Sequence, residues 1–197
     1  MRQDTKRDAI IEAAKKRFSH FGVSKTTMNE IADDLAISKA SLYYYFPDKL
    51  NLYAAVLQHI IEAENVHASS YQDEPTPEKA IHLYLDNRIR FINKYYNILE
   101  YLQSSAIVSA KELKPVFDKV RTNQLASVAS ILEKGKSAGS LHFENITRTA
   151  ELFLACMEGI RASIITHNNF FPDKKVFNAI LKQEKELASI FIRGLSI

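Results

Sequence analysis

The sequence predicts an all-α protein: a small three-helix domain over residues 1–46, followed by a larger helical domain over 47–197. Apolar residues recur at helical spacing along the chain, and no segment sustains the period-2 alternation of a half-buried strand. Glycine and proline are scarce, at five each in 197 residues, whereas sheet proteins spend those residues on their many turns.

The elements follow in order. Ile10, Ala13, Ala14, Arg17, Phe18 and Phe21 form one helical stripe, apolar but for Arg17, and Gly22 closes a helix over 4–21. Residues 27–30 read Thr-x-x-Glu, a capping box. Met28, Ile31, Ala32 and Leu35 then give a short second helix, and Ala36 and Ile37 make a turn. Ser38 is a good N-cap for a third helix carrying Lys39 to Tyr45, which Pro47 breaks. Asp48 suits the positive end of a fourth helix, whose stripe is Leu50, Tyr53, Ala54, Leu57 and Ile61, running to about residue 67. The polar stretch 69–77 reads as a loop. Helices are expected at about 77–93, 97–109, 114–135, 147–167 and 173–195. Gly135 and Gly139 flank one break, and Asn168, Asn169 and Pro172 mark another.

Composition bounds the function. The net charge of +3, with nine Lys or Arg against seven Asp or Glu in residues 1–50, is a mild basic bias that argues little alone. The one cysteine, Cys156, can make neither an internal disulfide nor a cysteine-cluster zinc site, and a buried, inert thiol is expected. Residues 1–11 lack the apolar core of a signal peptide, and no apolar run approaches the roughly 20 residues of a membrane helix. The expected location is the cytoplasm, with no membrane partner.

The second and third helices with their tight turn read as a helix-turn-helix. The third offers small or polar residues at its start. Lys39 can donate to guanine, the Ala40 methyl can meet thymine, and Ser41 is a flexible partner. Leu42 and Phe46, four apart, face inward. Tyr43, Tyr44 and Tyr45 cannot all do so, because neighbours on a helix point about 100° apart. Phosphate contacts are expected from Thr26 and Thr27 at a helix start, from the hydroxyls of Tyr43 and Tyr45, and from Lys49.

Residues 26–32, Thr-Thr-Met-Asn-Glu-Ile-Ala, with residues 38–49, Ser-Lys-Ala-Ser-Leu-Tyr-Tyr-Tyr-Phe-Pro-Asp-Lys, resemble the TetR family of bacterial repressors. The resemblance is strong over about 8–56. Beyond residue 60 it is general: length, helical character and the pair Glu158–Gly159. Ala36 stands where the family often has glycine, so the turn either avoids strongly positive φ or carries a small strain. The resemblance implies a homodimer whose first three helices bind a near-palindromic operator on double-stranded DNA. It further implies a fourth helix linking them to a variable ligand-binding body, release by a small-molecule effector, and a four-helix bundle between the last two helices of each subunit.

In the body, aromatic and polar residues alternate. Tyr84, Asn87, Arg88, Phe91, Tyr95, Tyr96, Tyr101 and Gln103 are candidate pocket residues, against ordinary core packing for any one of them. Late apolar stripes comprise Ala150, Phe153, Leu154, Met157, Ile160 and Ile164, then Val176, Ile180, Leu187 and Phe191. They can pack on their own body, and the resemblance tips them toward a subunit interface.

Other chemistry is set aside. The Gly-Lys-Ser at 135–137 lacks the first glycine and the preceding strand of a phosphate-binding loop. Glu64 and His67 match half of a di-metal motif that needs two copies, and His59 and His82 are weak metal candidates. The triplet Asn145-Ile146-Thr147 matters only in a secreted protein. No cofactor or metal is expected. The rivals are a helical sensor or carrier without DNA binding, and an enzyme, for which no clustered acid–base set is visible.

Overall fold

The computed structural model describes residues 2–65, 71, 73–103, 105–167 and 174–196. Its helices are α1 (Arg2–Phe21), α2 (Met28–Asp34), α3 (Lys39–Tyr45), α4 (Lys49–Asn65), α5 (Pro77–Lys94), α6 (Tyr96–Leu99), α7 (Ser105–Val108), α8 (Lys114–Ser137), α9 (Ile146–His167) and α10 (Lys174–Leu195). The expected break at 168–172, part of the expected loop at 69–77, and His67 lie outside the described residues.

The chain divides into two units, Met1–Glu64 with Tyr95–Asp118, and Asn65–Lys94 with Lys119–Ile197. The division differs from a cut after residue 46. α4 belongs with the first three helices, and the segment after α5 returns to them.

In the first unit, α1 packs on α2 and α6, and α2 on α3. Ile10, Ala14 and Phe18 of α1, Ile31 and Ala32 of α2, Leu42 of α3 and Leu52, Tyr53, Val56 and Ile60 of α4 are all buried. Phe18 and Tyr53 meet edge to face, ring centres 6.3 Å apart. Asp48 caps α4 by accepting from the Asn51 N–H at 2.8 Å. The single helix expected over 97–109 is instead α6, a 3-10 turn at Glu100–Gln103, and α7. A tertiary contact anchors its start: the buried Tyr53 hydroxyl of α4 donates to the Ile98 carbonyl at 2.9 Å.

In the second unit, α10 packs on α5 and α9. The core is formed by Ile81 and Leu85 of α5, Val128, Ile131 and Leu132 of α8, Leu141 and Phe143 beyond it, Ala150, Phe153, Leu154 and Met157 of α9, and Ala188 and Ile192 of α10. Gly135 does not end α8, which runs two residues further. The buried Gly135 lets Leu141 and Pro77 approach, since a Cβ there would lie 2.5 Å from Leu141 Cδ1 and 2.6 Å from Pro77 Cγ. Gly139, at φ +70°, makes the turn. Asn145 caps α9 through its Oδ1, which accepts from the Arg148 N–H at 2.9 Å. Among the described residues the β-pairing is one isolated antiparallel bridge, Leu141 with Ser196.

Candidate nucleic-acid interface

The turn between α2 and α3 is built by local chemistry. The Thr27 hydroxyl accepts from the Glu30 N–H, and the Glu30 carboxylate accepts from the Thr27 N–H at 2.8 Å, a closed capping box. At the far end, the Ile37 N–H donates to the Ala32 carbonyl and the Ala36 N–H to the Asp33 carbonyl, both at 3.0 Å. This is the paired closure that ends many helices with one left-handed residue. Ala36 is that residue, at φ +51°, so of the two expectations for this position the turn takes the strained one. Ser38 then caps α3, its Oγ accepting from the Ser41 N–H at 3.1 Å.

One face of α3 is locked to the unit and the other is presented. Leu42 and Phe46 are buried, with the Arg7 guanidinium 5.3 Å from the Phe46 ring centre. Lys39 and Ala40 are exposed, one turn before Tyr43 and Tyr44, which are 46% and 72% exposed. Ser41 and Tyr45 are half-buried at the flanks, and the Tyr44 and Tyr45 rings meet edge to face. The outward face is therefore one ammonium, one methyl and two phenols on a two-turn rod.

The residues behind the rod divide differently from expectation. Thr26 is 1% exposed; its hydroxyl donates to the Gly22 carbonyl at 2.9 Å and its N–H to Val23. Thr27 is exposed, but its N–H is held by Glu30. Neither N–H is open to a phosphate, and the Thr26 side chain is a loop clamp. Lys49 is also turned inward. Its Nζ donates to the carbonyls of Val23 at 2.9 Å, Thr26 at 3.0 Å and Ser24 at 3.4 Å. An ammonium has three donors, and all three are committed here. Burial pushes the Lys49 pKa down, against three carbonyl dipoles that favour the charged form.

Arg17 is a residue whose role the sequence reading did not assign. Its guanidinium grips the Asp34 carboxylate at 2.5 and 3.0 Å and reaches Glu30 at 3.2 Å, tying α1 to both ends of α2. The signal was present, as the one charged member of an apolar stripe.

The candidate pocket residues fall into both units. Tyr95 and Tyr101 belong to the first, and Tyr84, Asn87, Arg88 and Phe91 to the second. Tyr101 packs edge to face on Tyr53, and the Tyr95 hydroxyl reaches Glu64 at 3.5 Å. In the second unit Asn87 accepts from Arg90 at 2.7 Å. Tyr84 is buried beside Tyr71, and Arg88 and Arg161 both turn to Glu184. Arg161 and Glu184 were missed, although each interrupts an apolar stripe.

The late stripes are core. Phe153, Met157 and Ile180 are at most 1% exposed. Ile160, Ile164, Leu187 and Phe191 are half-buried, with Leu187 and Phe191 packed against the core cluster and Phe191 edge to face with Phe153. The chain itself already covers the apolar surface of Phe153, Met157 and Ile180, so they are not free for a partner. Among the described residues, the exposed large apolar side chains of these helices are Leu152 and Ile190. Cys156 is half-buried against the same core. Among the described residues, no helix is long and apolar enough to cross a membrane.

Comparison with known proteins agrees with the N-terminal geometry. Residues 10–56 match the family described as bacterial regulatory proteins, tetR family. The regulator RutR of Escherichia coli K12 is 34% identical over 90 residues, 46% of this chain and 42% of that protein, so the match spans less than half of that relative's length. TtgR of Pseudomonas putida, an HTH-type transcriptional regulator, is 28% identical over 166 residues, 78% of this chain and 77% of the relative. A transcriptional regulator from Cytophaga hutchinsonii superposes with a TM-score of 0.80 at 26% identity, over 98% of this chain and 99% of that one. The capped turn and the presented helix thus lie in the segment, residues 10–56, that matches the tetR family of bacterial regulatory proteins.

Proposed function

We propose that this protein is a sequence-specific DNA-binding transcriptional regulator, a repressor that works as a homodimer on a near-palindromic operator and is released by a small-molecule effector. The observation that carries the reading is the outward face of α3, with Lys39 and Ala40 exposed one turn before Tyr43 and Tyr44. Lys39 donates to guanine O6 or N7, the Ala40 methyl meets the thymine methyl, and Ser41 adapts to either. Tyr43, Tyr44 and Tyr45 sit where phenolic hydroxyls meet phosphates and set the register. Thr27 stands at the exposed start of α2 for the same purpose. Thr26 and Lys49 act one step back, holding the loop that places α2.

The body supplies the switch. α4 runs unbroken from Lys49 to Asn65, and Lys49 holds the loop between α1 and α2. A displacement of α4 therefore shifts that loop and the turn beyond it. An effector that binds one state better biases the population toward it, and two recognition helices no longer separated by about 34 Å lose one face of the duplex. The dimer face is read on the outer side of the last two helices. Leu152, Ala155 and Gly159 of α9 and Ile190 and Gly194 of α10 are exposed, and their small members permit close helix approach.

Selection of bound DNA from a random pool tests the reading. Two-fold-related half-sites one helical turn apart are the expected product. No enrichment would end the proposal.

A further inference from the structure

Inside the second unit, α5, α9 and α10 converge on four polar side chains, Tyr84, Arg88, Arg161 and Glu184. Glu184 is 1% exposed and Tyr84 5%. Both guanidiniums use Nη1 on the same carboxylate oxygen, Glu184 Oε1, Arg161 at 2.9 Å and Arg88 at 3.4 Å. Glu184 Oε2 and the Tyr84 hydroxyl are buried with no hydrogen-bond partner.

A buried Arg–Glu–Arg triad can be purely structural. A structural triad, however, gains most when both carboxylate oxygens are forked by donors. Here two cations crowd one oxygen, while the other oxygen and a neighbouring hydroxyl are left bare. The group also carries one excess positive charge. Glu158, the other acidic neighbour of Arg161, is exposed and faces Arg121 at 3.9 Å. The Arg88 and Arg161 side chains are only 16% and 19% exposed, and partial burial of a cation without a counter-charge is unfavourable, so the cluster is short of one negative charge, one acceptor for a tyrosine and one donor for a carboxylate.

Resting on the reading of this unit as an effector-binding body, we infer that the cluster is a binding site for a small organic monoanion, a carboxylate that also carries an O–H or N–H donor. Its carboxylate takes donors from Arg161, Arg88 and the Tyr84 hydroxyl, and its own donor satisfies Glu184 Oε2. A cation would double the excess charge, a neutral ligand would leave it, and a dianion would reverse it. The Arg161 pKa, lowered to about 10 by burial and then by the like charge of Arg88, agrees with a site short of negative charge. An occupant would join α5, α9 and α10, which a ligand must do to change the shape of the body.

The test is the melting temperature of the full chain, without DNA, in the presence of lactate and 4-hydroxybenzoate. Propionate and benzoate are the probes lacking the donor, and lactamide and 4-hydroxybenzamide the probes lacking the charge. The hydroxycarboxylates are expected to raise the melting temperature most, the plain carboxylates less and the amides not at all. Tyr84→Phe removes a hydroxyl that has no partner. It is expected to leave the unliganded melting temperature unchanged or higher, and to weaken the carboxylate effect about tenfold, the loss of one hydrogen bond to a charged group. Glu184→Gln is expected to favour benzoate over 4-hydroxybenzoate. No shift with either hydroxycarboxylate, equal shifts with the amides, or a Tyr84→Phe chain that melts lower but responds as before would each overturn the site. DNA selection is run without these probes. Operator binding with no carboxylate response sinks the site alone, and a carboxylate response with no DNA enrichment sinks the regulator alone.

Discussion

Ala36 holds φ at +51°, in the left-handed region that costs a residue with a Cβ about 1–2 kcal/mol. It is exposed, so its side chain contributes little packing in return. Ala36→Gly is expected to raise stability by about 0.5–1 kcal/mol after the added entropy of the unfolded chain is counted, read as a higher urea midpoint at unchanged slope. Lys49 presents the opposite case, a surface-type residue spent on the interior. Lys49→Ala leaves three carbonyls short of a donor and is expected to cost about 1–3 kcal/mol. The salt dependence of DNA binding should keep its slope, because the ammonium is committed to Val23, Ser24 and Thr26. A slope shallower by about 0.9, the signature of one lost phosphate contact, would show that Lys49 leaves the carbonyls for DNA.

The pairing of α1 with α2 depends on ionised carboxylates. The Arg17 guanidinium holds the Asp34 pKa below its ordinary 3.8. The Thr27 N–H and hydroxyl, then Arg17, hold Glu30 below its ordinary 4.5. Groups lowered on folding stabilise the native state above their unfolded values, and that contribution is lost as the pH falls through the folded ones. Amide-exchange protection in α2 is therefore expected to be flat above about pH 5 and to fall on acidification below about pH 4. Asp34→Asn should lower protection at neutral pH and weaken the acid dependence. Protection that stays level to the acid limit would mean that packing of Met28, Ile31 and Ala32 alone holds the helix. The short α6 and α7 make a related point. Helical periodicity over 97–109 is genuine, but the stretch is divided into α6, a 3-10 turn and α7, with the Tyr53 hydroxyl of α4 anchoring α6 at the Ile98 carbonyl.

For the proposed dimer, the surface to test is the outer face of α9 and α10. Leu152 and Ile190 are 57% and 62% exposed, so replacing either by arginine disturbs little of the packing within the chain. Leu152→Arg with Ile190→Arg is expected to leave the helical signal and melting intact while raising the dimer dissociation constant at least about tenfold, the effect of losing interface anchors. Sedimentation equilibrium reads this directly. Operator affinity should fall in parallel, because one recognition helix reads only half a site. A double variant that remains dimeric would move the interface elsewhere.

The N-terminal domain was legible because its signals are local. A capping box, a Ser N-cap, a proline stop and a glycine at a helix end act within four residues of backbone. Each appears where the chemistry of those residues puts it. Periodicity likewise identified Phe153, Met157 and Ile180 as apolar faces, but period alone says that a face is buried, not what buries it. The tertiary fold decided that these three face their own core and that Leu152 and Ile190 face outward. It also set the partners of charged residues lying within apolar stripes. Arg17, Arg161 and Glu184 all break a pattern visible in the sequence, yet their partners lie 17, 23 and 96 positions away along the chain. Contacts at such separations depend on how helices pack, and no short-range pattern encodes them.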